Sequence, residues 1–101
     1  MEKLYKMVQG YRKRFPDGID PFKMITRLLE ECGEVAAEVN KWEDSGKRQR
    51  SGEPRKEDMA EEIRQSLLAL MQIAVYYEVE KELENEINNT LKFLEEEGYF
   101  N

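Results

Sequence analysis

Residues Leu67–Tyr77 read LLALMQIAVYY, an apolar run broken only by Gln72. A surface helix leaves an apolar stripe on one side, whereas a helix that is apolar almost all round must pack on several sides. The run therefore predicts a central helix, extending from about Arg55 to Glu78. One narrow face of it stays polar or small, through Asp58, Glu62, Gln65, Ala69 and Gln72. There is no strand-like alternation anywhere in the chain.

Three further segments read as partners for that helix. Glu2 to about Phe15 places Leu4, Met7, Val8 and Tyr11 at helical spacing. Pro16, Gly18 and Pro21 then break the pattern, and Asp20 before Pro21 reads as an N-cap followed by proline at the first helical position. From Pro21 to about Glu43, Ile25, Leu28, Leu29, Cys32, Val35, Ala36, Val39 and Trp42 fall in one stripe at about 100° per residue. Cys32 reads there as a small buried hydrophobe, with no basic neighbour to activate its thiol. Lys81 to about Glu97 is amphipathic through Leu83, Ile87, Leu91 and Leu94, and Gly98 is a stop signal. The stretch between the second and third helices, Asp44 to Lys56, is a basic loop rich in turn residues. The expectation is one all-α domain over residues 1–101, a four-helix bundle. A chain this small with an all-round apolar helix is expected to complete itself by oligomerisation.

Composition narrows the function. Charged residues make up 38% and hydrophobic residues 40%, as in soluble helical proteins. A net charge of −6 argues against coating a nucleic-acid polymer. The absence of histidine excludes imidazole catalysis and His-ligated zinc, and one cysteine allows no intrachain disulfide. The stretch MEKLYKMVQG lacks the apolar core of a signal peptide, and no run is long enough to span a membrane. These features lead to an expected cytoplasmic location without a membrane partner.

The second helix carries Glu30, Glu31, Glu34 and Glu38 in one sector beside the apolar stripe. Such acids usually form a solvated face, with Arg27–Glu31 and Lys41–Glu38 as ordinary surface pairs. A cation offers another reading. Glu31 and Glu34 are three residues apart and share a face, with Glu38 a turn further on. Mg²⁺ takes oxygen ligands and usually retains several waters. The third helix adds Asp58 and Glu62 on its polar face, although negative charge near a helix start is favoured in any case. If the two helices pack side by side, four carboxylates converge, and like charges so placed need a cation.

LLEECGEVAAEV (Leu28–Val39) followed by AEEIRQSLLALMQIA (Ala60–Ala74) resembles the MazG-like nucleoside triphosphate pyrophosphohydrolases. These belong to the all-α NTP pyrophosphatase group, which includes the dimeric dUTPases. The family pattern is E-x-x-E on one helix, a variable loop, and E-x-x-D on the next. Glu31-Cys32-Gly33-Glu34 matches the first half, and Glu62-Ile63-Arg64-Gln65 stands at the second, with Gln65 in place of the aspartate. The likeness runs roughly from Leu4 to Phe93 and includes the basic loop and NNTLKF, whose Lys92 matches a lysine frequent in the family. Leu94 stands where asparagine is common.

The resemblance implies hydrolysis of an NTP or dNTP to its monophosphate and pyrophosphate, with Mg²⁺ or Mn²⁺. Glu31, Glu34 and Glu62 are the implied catalytic and metal residues, and Glu38, Asp58 and Gln65 are further metal candidates. Candidates for substrate contact are Lys92, Trp42, and the loop residues Lys47, Arg48, Arg50, Arg55 and Lys56. Each has a plainer role: Lys92 as a surface pair with Glu95 or Glu96, Trp42 as core or dimer interface, and the loop as a solvated charge balance. The expected assembly is a homodimer or homotetramer. Two rival readings remain: a silent relative that binds nucleotide or metal without turnover, and a helical interaction module.

Overall fold

The computed structural model describes residues 1–17, 19–43 and 54–100. It contains α1 (Glu2–Arg14), α2 (Pro21–Glu43), α3 (Lys56–Tyr76) and α4 (Glu80–Glu96), and no strand occurs among the described residues. The all-α expectation holds, and α2 begins and ends at the predicted residues.

Local chemistry explains the helix ends. Asp20 Oδ1 accepts a hydrogen bond from the Phe22 amide at 2.9 Å, which satisfies one of the orphan donors of the first turn. Gly98 ends α4 at φ 83°, with Gly98 N–H donating to Glu95 O and Tyr99 N–H to Leu94 O, both at 3.0 Å. That is a Schellman closure, and glycine suits its left-handed position. α3 ends in the same way: Glu78 N–H reaches Val75 O at 3.1 Å and Val79 N–H reaches Ala74 O at 3.0 Å. Here a glutamate holds the left-handed position, at φ 54°. Its Cβ crowds the carbonyl, so this turn is strained where the other is relaxed.

α3 is the centre, as LLALMQIAVYY predicts. α2 lies along its length, α1 packs against it, and α4 meets it only slightly. Val8 from α1 meets Leu68 and Met71 from α3, and Leu4, Met7, Val75 and Leu83 pack around them. Leu83 joins the start of α4 to this core, but Ile87 and Leu91 further along that helix are exposed. The chain is thus three packed helices with a fourth attached near its beginning, a more open arrangement than a closed four-helix bundle.

The apolar stripe of α2 divides. Met24 is buried, and Leu28 and Val35 are half-buried. Phe22, Ile25, Leu29, Cys32, Ala36 and Val39 lie exposed on an adjoining line at three- and four-residue spacing. Cys32 is therefore accessible, contrary to the sequence expectation, because α2 turns its other flank to α3. α3 also has an uncovered line, through Ile63, Leu67, Leu70 and Tyr77.

Replacing the strained residue tests the account of the α3 end. Glu78→Gly removes the left-handed penalty of a side chain at glycine's own entropic cost. The expected result is a gain of up to about 1 kcal/mol, read as a higher midpoint in thermal or denaturant unfolding. A loss of stability would mean that Glu78 makes a contact outweighing its strain.

Candidate metal centre

The antiparallel pairing of α2 with α3 sets the site. Met24 and Gln72 line one pocket towards one end of the pair, and Glu31 and Glu34 meet Glu62 about midway along α2. One carboxylate oxygen from each of these three glutamates lies within 4.8 Å of the other two. Helical periodicity accounts for the α2 half, since residues three apart project from one face on neighbouring turns. Gly33, between them, has open space where a Cβ would sit, so close packing does not explain this glycine.

Glu31 and Glu62 are half-buried and Glu34 is exposed. Glu31 Oε2 and Glu62 Oε2 are inaccessible to solvent and have no hydrogen-bond partner among the described residues. A buried carboxylate oxygen without a donor is costly. Burial, followed by the nearby charge of Glu34, raises the Glu31 carboxyl above its ordinary range, and Arg27 partly offsets this. Glu62 is pushed up to about 7, first by a hydrogen bond with Glu34, then by desolvation and by the charges of Glu34 and Glu31. When all three are ionised, the bare oxygens and the repulsion remain. When one proton is shared, Glu34 and Glu62 satisfy each other.

Either a proton or a cation resolves such a cluster. The donor set is all oxygen and all anionic, which suits a hard divalent ion that keeps its remaining positions for water. Three carboxylates from two rigid helices fit Mg²⁺ or Mn²⁺ in donor type and charge.

The other sequence candidates lie elsewhere. Glu38 is buried and paired with Lys41, Nζ to Oε2 at 3.8 Å, in the surface pairing weighed against metal binding. Asp58 is half-buried one turn before Glu62 and stands outside the three-carboxylate cluster. The side-chain amide of Gln65 donates to Glu61 Oε1 at 3.5 Å along its own helix. So three of the four carboxylates expected to converge do so if Glu38 is set aside, and Asp58 does not join them. Arg27 has no ion pair with Glu31 within 4 Å and acts on it at longer range.

Trp42 lies in the last turn of α2, 38% exposed. Arg55 precedes α3 and pairs with Glu57 at 3.7 Å, and Lys56 opens that helix, exposed. Lys92 is exposed on α4, which does not contact α2. Lys47, Arg48 and Arg50 lie outside the described residues. Sequence reasoning missed the cationic pocket of Arg12, Lys23 and Arg27, whose members are scattered over two helices.

The raised carboxyls make a prediction with a definite sign. A carboxyl whose folded pKa exceeds its unfolded value adds stability below the unfolded value and loses it as pH rises through the folded one. Metal-free protein should therefore lose thermal stability between about pH 5 and about pH 8, with Glu62 titrating near 7. Glu62→Gln should flatten that slope, and millimolar Mg²⁺ or Mn²⁺ should raise the midpoint more at the alkaline end. Differential scanning fluorimetry with EDTA and metal arms reads all three effects.

The chain matches no protein-family model, no curated protein and no solved structure.

Proposed function

We propose that the chain is a metal-dependent nucleoside triphosphate pyrophosphohydrolase of the MazG-like type. The observation that carries this reading is the meeting of Glu31, Glu34 and Glu62, with two buried oxygens bare. These are the positions at which the chain resembles the E-x-x-E pattern and the first residue of E-x-x-D. A merely solvated acidic face would leave its oxygens in water, which disfavours the plain interaction module.

Glu31, Glu34 and Glu62 would hold Mg²⁺ or Mn²⁺. The ion, when bound, supplies neutralisation of phosphate charge and acidifies water. A carboxylate oxygen left free accepts the proton of the attacking water. Water adds at phosphorus in the α–β anhydride, the bridging bond breaks, and pyrophosphate leaves with the electron pair. The half-buried setting of Glu31 and Glu62 strengthens their electrostatic effect by keeping bulk water away. A cytoplasmic location accords with this substrate, and no described helix is long and apolar enough to cross a membrane.

One observation favours a second reading. Gln65 replaces a charged ligand with a neutral amide, and that amide is engaged by Glu61. A silent relative that binds metal or nucleotide without turnover would look like this.

Pyrophosphate release from a panel of NTPs and dNTPs, with Mg²⁺, Mn²⁺ and EDTA, tests the choice. The expected result is metal-dependent release that falls about 100-fold or more in Glu34→Gln, the upper range for disturbed metal sites. In the same assay Gln65→Asp should raise activity on the order of tenfold. Metal binding with no release by either protein would establish the silent reading.

The assembly proposed is a homodimer, with a homotetramer as the larger alternative, formed through the uncovered lines of α2 and α3. Each line carries apolar side chains at the spacing that helices use to pack. Leu29 is 67% exposed, so changing it disturbs no packing within the chain. Leu29→Glu is expected to convert the oligomer to a folded monomer, with multi-angle light scattering giving the mass and circular dichroism the helicity. A monomeric wild-type protein would refute the assembly.

A further inference from the structure

Beyond the carboxylates lies a pocket of about 190 Å³ between α1, the α1–α2 turn, α2 and α3. Its floor is Val8, fully buried, with Met24 beside it. Tyr11 and Phe15 form an aromatic wall, their rings stacked at 6.2 Å between centroids and 22° between planes. Both rings remain partly exposed although they stand beside an apolar floor. Arg12, Lys23 and Arg27 complete the lining with Gln72 and Ile19, and no carboxylate lines it.

Charge makes this distribution informative. In a chain of net charge −6, one pocket gathers three cations and no acid. The ion pairs among the described residues are Lys41–Glu38 and Arg55–Glu57, so none of the three cations is held by a carboxylate. The pocket therefore favours an anion that also has a flat, apolar part. Its size limits that part. Sites for drug-sized molecules run from about 300 to about 1,000 Å³, so this one takes a ring system and leaves the rest of its ligand outside. Gln72 offers both an amide donor and a carbonyl acceptor to such a ring.

Position supplies the other half of the argument. Arg27 lies one turn before Glu31 on α2, and Met24 nearly one turn earlier still. At 1.5 Å per residue, the axial distance from Met24 to Glu31 is roughly 10 Å. A nucleoside 5′-phosphate bridges such a distance between its base and its phosphate. Arg27 lines the pocket and also acts electrostatically on Glu31, so it stands between the two sites.

We propose that this pocket receives the base of a nucleoside 5′-phosphate, whose phosphate lies past Arg27 towards Glu31. The base packs against the aromatic wall of Tyr11 and Phe15, displacing the Arg14 guanidinium that lies 5.3 Å from the Phe15 ring centroid; Gln72 contacts the base edge, and Lys23 and Arg27 draw in the anion. The inference rests on the nucleotide reading above and deepens it by naming the residues that hold the base.

The test is a titration with nucleoside 5′-monophosphates in EDTA, followed by NMR of methyl-labelled protein. It needs neither metal nor turnover. Saturable shifts are expected at the methyls of Val8, Ile19 and Met24. Phe15→Ala should weaken binding about fivefold or more, the scale of stacking between an aromatic ring and a base. Lys23→Gln should weaken it by a similar factor, and inorganic phosphate should leave those methyls unmoved. Phe15 and Lys23 are both exposed, and circular dichroism verifies that each variant folds. Three results would overturn the proposal: no saturable shift with any monophosphate, equal shifts with inorganic phosphate, or unchanged affinity in folded Phe15→Ala. A protein that binds monophosphates in this way yet releases no pyrophosphate would lose the proposed reaction and retain the base pocket. Release with Phe15→Ala matching the wild type in KM would do the reverse.

Discussion

Antiparallel packing of α2 against α3 sets the relation between the carboxylate cluster and the basic pocket. It places Glu31 and Glu34 opposite Glu62, at the cost of bringing like charges within 4.8 Å in a partly desolvated place. Apolar contact along the two helices must outweigh that repulsion, because the glutamates themselves oppose it whenever all are ionised. The same register carries Met24 to Gln72 and opens the pocket there. A slip of one residue in either helix would rotate its carboxylates by about 100° and dissolve both features.

Much of this was legible from the residues. The all-round apolarity of LLALMQIAVYY identified the central helix. Asp20–Pro21 and Gly98 marked their helix ends through chemistry that acts within a few residues. Glu31, Glu34 and Glu62 were named from spacing, polar-face position and the resemblance to a family pattern, and the two helices do bring them together.

What escaped the sequence has a common physical cause. Whether Cys32 faces a neighbour or solvent depends on the rotation of α2 about its axis, which its own wide apolar stripe left open. Glu38 and Asp58 share helix faces with the cluster residues, but a helix face spans many ångströms and periodicity does not fix which oxygens meet. The basic pocket draws on Arg12 from α1 and on Lys23 and Arg27 from α2, so no local pattern announces it. Glu78 in a left-handed turn also gave no signal, since glutamate is poorly suited to that conformation.

The attachment of α4 has a consequence for how the fold is held. No residue of α4 is buried, and Leu83 alone anchors it among the core contacts. Helices of this kind open without taking the rest with them, because cooperativity follows shared burial. α1 is different: lifting it away would bare Val8, and with it Leu68 and Met71. The molecule therefore divides into a cooperative unit of three helices and a semi-autonomous appendage. By this division, amides of α4 are expected to exchange faster than those where α1 and α2 grip α3.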